Sequence, residues 1–251
     1  MAIVKSLEKA LKVLDCFTGD ETELGVSDIA ERLDLSKSNV HDILQTYVKT
    51  GCMEQNETSQ KYTLSVKMLT YSNVVNRHMG YHYATHDIME QLANRVNKIV
   101  YFSIPHGLDI LYLYSAFPKE EKKKYPFRPV SGEICPMYCS SMGKAMLAFS
   151  NEGLMEQLRS LALTRFTSET ILDYDELEKQ IGLTRERGYA IDVGEHQYGV
   201  AAVGVPVFNS QGKLIGAMSI CGACLNFSAE NIESYVNLLK EAAYNIQIRL
   251  R

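Results

Sequence analysis

The sequence predicts an α+β chain in two parts: a small helical unit closed by a short hairpin, then an antiparallel sheet with helices on both sides. Three observations carry the prediction. The first 68 residues hold three short segments with apolar residues at helical spacing, then two short runs around the polar turn "NETSQ". Later runs such as "KIVYFSIPHGLDILYLYSAF" and "YGVAAVGVPVFNSQGKLIGAMSIC" are rich in Ile, Val, Tyr and Phe and break at turn residues. Helical stretches precede, separate and follow those runs.

Bulk properties narrow the function classes. A length of 251 residues allows one large domain or two modest ones. A composition 46 % hydrophobic and 22 % charged is that of a soluble globular protein. No apolar run approaches the roughly 18 residues of a membrane span. The opening "MAIVKSLEKALKVL" mixes charge into its apolar spacing, so no signal peptide is expected. A cytoplasmic protein without membrane partners is expected. Six cysteines in a chain this long fit a reducing compartment and free thiols. The net charge of −4 argues against a globally basic nucleic-acid binder, yet leaves room for a local contact patch.

In the first unit, expected over 1–68, Val4, Leu7, Leu11 and Leu14 recur at helical spacing and predict an amphipathic helix. After the polar break "GDETELG", "VSDIAERLDL" predicts a helix with Ser27 as N-cap and Ile29, Ala30 and Leu33 inward. "SKSNVHDILQTYVKTG" follows almost at once, with Ser36 as N-cap and Val40, Ile43, Leu44, Tyr47 and Val48 as its buried stripe. Gly51 sits where a left-handed residue stops a helix. "CMEQNETSQKYTLSV" predicts two short strands. Three helices and a hairpin in this order make a winged helix-turn-helix, whose second closely spaced helix can enter a major groove.

The face opposite the stripe carries Ser38, Asp42, Gln45 and Lys49, flanked by Asn39, His41 and Thr46. Short polar groups in the first turn let the backbone approach DNA closely. Ser, Asn and backbone N–H groups bond phosphate, and Gln or Asn pair with adenine edges. Any surface helix has a polar face; the order of elements is what favours double-stranded DNA as partner. The expected contacts are Ser36, Lys37, Ser38, Asn39, His41, Asp42, Gln45 and the wing residue Lys61. Residues 1–68 hold eight basic and eleven acidic side chains, a net −3. Phosphate neutralisation per protomer is then modest, and dimerisation is needed to build affinity.

"MLTYSNVVNRHM" predicts a linker helix, expected over 69–80, and "HYATHDIMEQLANRVN" opens a second domain, expected over 81–251. Two strands follow, broken at "PHGLD", then the charged loop "PKEEKKKYPFRPVSGEI". "SSMGKAMLAFS", "GLMEQLRSLA" and "DYDELEKQIGLTRERG" predict helices, the last ending at Gly188. "YAIDV" is a strand, and "NSQG" turns a hairpin. The last helix starts near Ser228 and buries Ile232, Tyr235, Val236, Leu239, Ala243 and Ile246. The result is a sensor-like α+β domain.

At this point the chain resembles the IclR family of bacterial transcriptional regulators over nearly its whole length. The resemblance lies in "SNVHDIL", in "KYTLSVKML", in "YCSSMGKAMLAF" and in "RERGYAIDVGEHQYGVAAVGVPVFNSQGKLIGAMSICG", and in their order and separation. It implies a winged helix-turn-helix, a linker helix, a GAF-like effector-binding domain, and homodimers or tetramers on palindromic operators. The family sites for small carboxylates correspond to Ser141, Met142, Asp192, Ala202, Ser219 and Cys221, to which the present reading adds Gly143 beside the helix start. Phe127, Met142 and Ala202 are expected to line the apolar side of a pocket for a small organic or aromatic acid. The chain departs from many members at Asp42 and Thr63, where they carry Arg. Each departure removes a phosphate or guanine contact.

Other constellations remain. "SMGKA" fails as a phosphate loop, because Tyr138 replaces its first glycine and Ala145 its magnesium-holding Ser or Thr. Ser140 and Ser141 before an apolar run fit either simple capping or an anion held by free N–H groups. Cys135 and Cys139 are four apart, and Cys221 and Cys224 three apart. Inert packing, a ligand-lining or redox thiol, and a tetrahedral zinc set stay open, in that order. His82 and His86 fit a solvated or interfacial pair, and "EEKKK" a solvated loop. No nucleophile–base–acid order stands out, so no catalytic residue, metal or cofactor is expected. The reading is a ligand-responsive regulator. Its rivals are a redox or metal sensor on the same scaffold, and an enzyme using a cysteine nucleophile.

Overall fold

The structure is a computed structural model that describes residues 3–19, 21–119, 130–150 and 153–250. It divides into two compact units, Met1–Met79 and Gly80–Arg251.

The first unit opens with α1 (Lys5–Asp15), α2 (Val26–Leu33) and α3 (Lys37–Lys49). Asp34 closes α2 in the left-handed region at φ 50°, which turns the chain sharply into α3. Ser36 caps α3 by accepting from the Asn39 N–H at 3.4 Å. Strands β1 (Met53–Gln55) and β2 (Tyr62–Leu64) pair antiparallel, and α4 (Met68–Met79) follows. Val13, Phe17, Leu24, Ile29, Val40, Leu44, Met53 and Tyr62 form one core. A winged helix-turn-helix results.

One expectation for this unit is corrected. Ser27 is not the N-cap of α2; Gly25 is, and its N–H donates to Asp28 Oδ2 at 2.9 Å. The acid one turn in reaches back to the backbone, and this replaces the serine cap. Of the apolar stripe of the first helix, Leu14 packs on this core beside Val13 and Phe17, while Val4, Leu7 and Leu11 are 63, 57 and 49 % exposed. Among the described residues of α4, none is buried.

The second unit begins with α5 (Tyr81–Val96), then β3 (Ile99–His106), β4 (Asp109–Ala116) and β5 (Ile134–Pro136). A single 3-10 turn, Met137–Cys139, leads into α6 (Ser141–Phe149). Then come α7 (Leu154–Arg159), α8 (Tyr174–Arg187), β6 (Ala190–Val193), β7 (Val200–Phe208), β8 (Leu214–Ala223) and α9 (Ala229–Arg249). Among the described residues, the strands make one antiparallel sheet in the order β5-β4-β3-β8-β7-β6. Strand β5 is absent from the sequence reading, whose charged loop ran to Ile134 and left Cys135 and Pro136 unassigned. The charged segment before it, with Phe127, lies outside the described residues.

Strand alternation sorts the side chains. Val100, Phe102, Val203, Val205, Val207, Met218 and Ile220 face α5 and α9. Their neighbours Tyr101, Ala202, Gly204, Ala217, Ser219 and Cys221 point to the other face, where Ile110, Met142, Met146, Leu177 and Ala217 form a second core with α6 and α8. Gly204 lets α6 lie directly on the sheet: a Cβ there would stand 2.7 Å from the Ser141 carbonyl carbon. Gly143 has the same role against the preceding turn, where a Cβ would stand 2.3 Å from the Met137 backbone.

Candidate functional site

Two surfaces carry the expected site residues, one in each unit. In the first, Ser36, Lys37, Ser38, Asn39, His41 and Asp42 are exposed at the start of α3, and Lys61 is exposed in the wing. The cap at Ser36 and the buried stripe behind it hold this turn of helix in place. Gln45 differs from the others. It is half-buried, and its Nε2 donates to the Tyr62 hydroxyl at 3.0 Å. Its amide therefore ties α3 to the wing, leaving its oxygen as the group able to face a base.

In the second unit, a cavity of about 410 Å³ opens where the N-terminus of α6 meets the sheet. Ser141, Met142, Asp192, Ala202, Ser219 and Cys221 all line it, with Tyr101, Tyr112, Glu133, Cys135, Ser140, His196 and Gln197. Register explains the convergence on the sheet side. Asp192 pairs with Ala202, Ala202 with Cys221, and Tyr101 with Ser219, so these five project from one face of the sheet. Gly143 is not in the lining; it serves the close contact with Met137. Ser140 caps α6 by accepting from the Gly143 N–H at 3.1 Å. The cap satisfies one free donor of the helix end, and the turn still presents its positive end to the cavity. On the sheet side, the Ser103 hydroxyl contacts Met142 Sδ at 3.2 Å.

The electrostatics are unusual for so few residues. Asp192 is 7 % exposed, and burial, then the neighbouring Glu195 charge, push its carboxyl up to about 7. Its Oδ1 accepts from the Glu195 N–H at 2.9 Å. Burial thus favours the protonated carboxyl up to near-neutral pH. The repulsion expected between an acid and a bound carboxylate is reduced accordingly. Behind the cavity, Lys144 of α6 forms a buried ion pair with Glu195 Oε1, while Glu195 Oε2 is buried without a hydrogen-bond partner. Burial raises the Glu195 carboxyl, against the lowering effect of Lys144.

Sequence reasoning missed Lys144, Glu195 and His196 as site residues, and held Cys135 only among thiols that could line a ligand or sense redox state. Lys144 sits inside the apolar helix "SMGKAMLAF", and a cation in the middle of a buried run is a signal in itself. The loop 194–199 carries Glu195 and His196. Thr167 Oγ1 donates to the Gly194 carbonyl at 2.6 Å and Thr170 Oγ1 to the Glu195 carbonyl at 2.7 Å, which hold the loop in place. His196 packs on Phe166 with ring centroids 4.8 Å apart and lines the cavity with Cys135, which raises the imidazole above its ordinary value.

Elsewhere, His82 and His86 stack at 4.8 Å on an exposed face of α5. Among the described residues, no group of three or more His, Cys, Asp or Glu side chains could hold a metal ion. Among the described residues, no helix is long and apolar enough to cross a membrane.

Known proteins share this architecture. Residues 74–248 match the profile described as bacterial transcriptional regulator IclR C-terminal, and residues 6–57 match the IclR helix-turn-helix domain. The HTH-type transcriptional regulator XynR of Escherichia coli (strain K12) is 30 % identical over 221 residues, spanning 88 % of this chain and 86 % of that protein. The crystal structure of Thermotoga maritima IclR is 28 % identical, with a TM-score of 0.73 and 99 % of each chain covered. An IclR homolog from Microbacterium hydrocarbonoxydans, solved as a complex with 4-hydroxybenzoate, shares the fold at a TM-score of 0.82. It is 24 % identical and covers 98 % of this chain and 99 % of its own.

Proposed function

The chain belongs to the IclR family of bacterial transcriptional regulators, and from that premise we propose that it is an effector-responsive repressor or activator whose signal is a small organic acid. The observation that carries this reading is the cavity at the start of α6. Its size suits a small-molecule site, and its polar groups converge from a helix N-terminus, Ser141 and Ser219. Met142, Ala202, Tyr101 and Tyr112 supply an apolar side for a carbon skeleton. The ligand carboxylate takes the α6 end and the serine hydroxyls. Asp192, part-protonated, offers its second oxygen to a ligand hydroxyl or amine. The 4-hydroxybenzoate bound by the Microbacterium homolog has both a carboxylate and a hydroxyl.

The first unit binds a palindromic operator in the cytoplasm as a dimer or tetramer, through Ser36, Lys37, Ser38, Asn39, His41, Asp42, Gln45 and Lys61. Self-association is supported by the apolar residues that α1 and α4 leave exposed: Val4, Leu7, Leu11, Leu69, Val74 and Val75. The effector acts by binding one arrangement of the DNA units better than another. A tenfold change in operator affinity needs about 1.4 kcal/mol of coupling.

The test is calorimetric titration of small aliphatic and aromatic carboxylates, 4-hydroxybenzoate among them, against wild type, Ser141→Ala and Asp192→Ala. The expected result is a carboxylate bound by wild type and weakened in both variants. Equal binding to all three places the site elsewhere.

A further inference from the structure

Two thiols at the cavity wall have no part in the reading above. Cys135 sits in the middle of β5, and Cys139 closes the 3-10 turn that follows. That turn sets both thiols on one acceptor: each Sγ lies 3.7 Å from the Pro136 carbonyl oxygen. Cys135 lines the cavity, while Cys139 is wholly buried and lies outside the lining. His196 lines the same cavity as Cys135, and its ring is held by Phe166. An exposed imidazole, a thiol open to a cavity and a second thiol on the same carbonyl are the parts of a thiol redox centre.

We propose that Cys135 and Cys139 form a peroxide-oxidisable dithiol in the cavity wall, with Cys135 as the attacking thiol and Cys139 as the resolving one. The oxidant is hydrogen peroxide or a small organic hydroperoxide. The Cys135 thiolate attacks one peroxide oxygen. The S–O bond forms, the O–O bond breaks, and the departing oxygen takes a proton from the His196 imidazolium to leave as water or alcohol. Sulfur has lost two electrons and the peroxide has gained them. Cys139 Sγ then attacks the sulfenic sulfur of Cys135. The S–S bond forms, the S–O bond breaks, and the hydroxide leaves as water with the Cys139 proton.

The electrostatics assign these roles in the same sense. Cys139, then His196, hold the Cys135 thiol below its usual range, against burial. Cys135, then burial, raise Cys139, which stays protonated until the sulfenic acid appears. His196 is raised by Cys135, which favours the imidazolium. Cys221 also faces the cavity, but burial, then the Asp192 charge, push its thiol up to about 12, so it is a spectator.

The disulfide would tie β5 to the residue directly before the Ser140 cap, at the end of the cavity that receives the carboxylate. Oxidation is thus expected to change effector affinity. That coupling rests on the organic-acid reading; the oxidation itself does not.

The experiment treats the reduced full-length protein with hydrogen peroxide, blocks remaining thiols, and maps the peptides by mass. In wild type and in Cys221→Ser, the expected product is a Cys135–Cys139 disulfide, two hydrogens lighter. It should form at least about tenfold faster than any oxidation of Cys221. Cys139→Ser should stop at a sulfenic acid on Cys135, one oxygen heavier and trapped by a 1,3-dione. His196→Gln leaves the buried thiols in place and should slow the reaction and move its pH midpoint upward. Titrating the bound carboxylate into the reduced and oxidised protein then reads the coupling. If the disulfide forms while no carboxylate binds either state, the dithiol stands and the organic-acid reading falls. Oxidation of all cysteines at one common rate, pairing of Cys135 with Cys221, or an unchanged rate in His196→Gln would overturn the proposal.

Discussion

Replacing Asp192 by asparagine should remove a pH-dependent loss of stability from the second unit. Burial lifts the Asp192 carboxyl from 3.8 to about 7, so the folded state holds a proton that the unfolded chain has already released. The sign is the reverse of a salt-bridged aspartate. Between these two values the native state binds more protons than the unfolded state, so stability falls as pH rises. Above pH 7 the full cost approaches about 4 kcal/mol, at about 1.4 kcal/mol per tenfold change in proton affinity. Between pH 5 and pH 8.5 about 3 kcal/mol of it develops. The asparagine side chain would keep an acceptor for the Glu195 N–H and carry no charge. Glu195, Lys144, Cys135, His196, Cys139, Tyr112 and Cys221 titrate or carry charge around the site, so the difference between wild type and variant isolates Asp192. The assay is urea unfolding followed by near-ultraviolet circular dichroism of tyrosine. Twelve of the fifteen tyrosines lie in the second unit, so the signal reports that unit. Wild-type stability should fall more steeply between pH 5 and pH 8.5 than that of Asp192→Asn. Parallel curves would show that the carboxyl is ionised throughout and that burial does not govern it.

Three further outcomes follow from the same geometry. Lys37→Ala should weaken all duplexes alike and flatten the salt dependence of binding, whereas Gln45→Ala should cost about 1–3 kcal/mol on the operator alone if its oxygen reads a base. All are read by mobility shift, and Tyr62→Phe separates base reading from wing anchoring: an equal loss in Tyr62→Phe and Gln45→Ala assigns Gln45 to the wing. Leu7→Glu with Val74→Glu should turn a dimer or tetramer into a monomer by light scattering, and an unchanged mass would refute the role given to α1 and α4. Lys144→Met should destabilise the protein by about 3–5 kcal/mol by leaving Glu195 buried and unpaired. Adding Glu195→Leu should recover much of that in urea unfolding, and no recovery would mean the pair is not the source.

Local pattern was enough for most of the architecture. Period-two alternation through "AAVGVPV" and "GAMSICG" already puts Ser219 and Cys221 on one face and sets Ala202 apart from Val203, and the polar residues after Ser36 already mark the first turn of α3 as exposed. These are properties of neighbouring residues, and they survive translation into a fold. What only the tertiary structure decided depends on groups far apart in sequence. Lys144 meets Glu195 across 51 positions, and His196 reaches Cys135 across 61. Asp192 acquires its proton only when the sheet and α6 close over it, because a carboxyl's affinity for a proton follows its desolvation. The stripe Val4, Leu7, Leu11 is legible as apolar, yet its outward direction is not. Helical spacing says that a face needs a partner, and it is packing that selects which of two apolar faces the chain itself supplies with one.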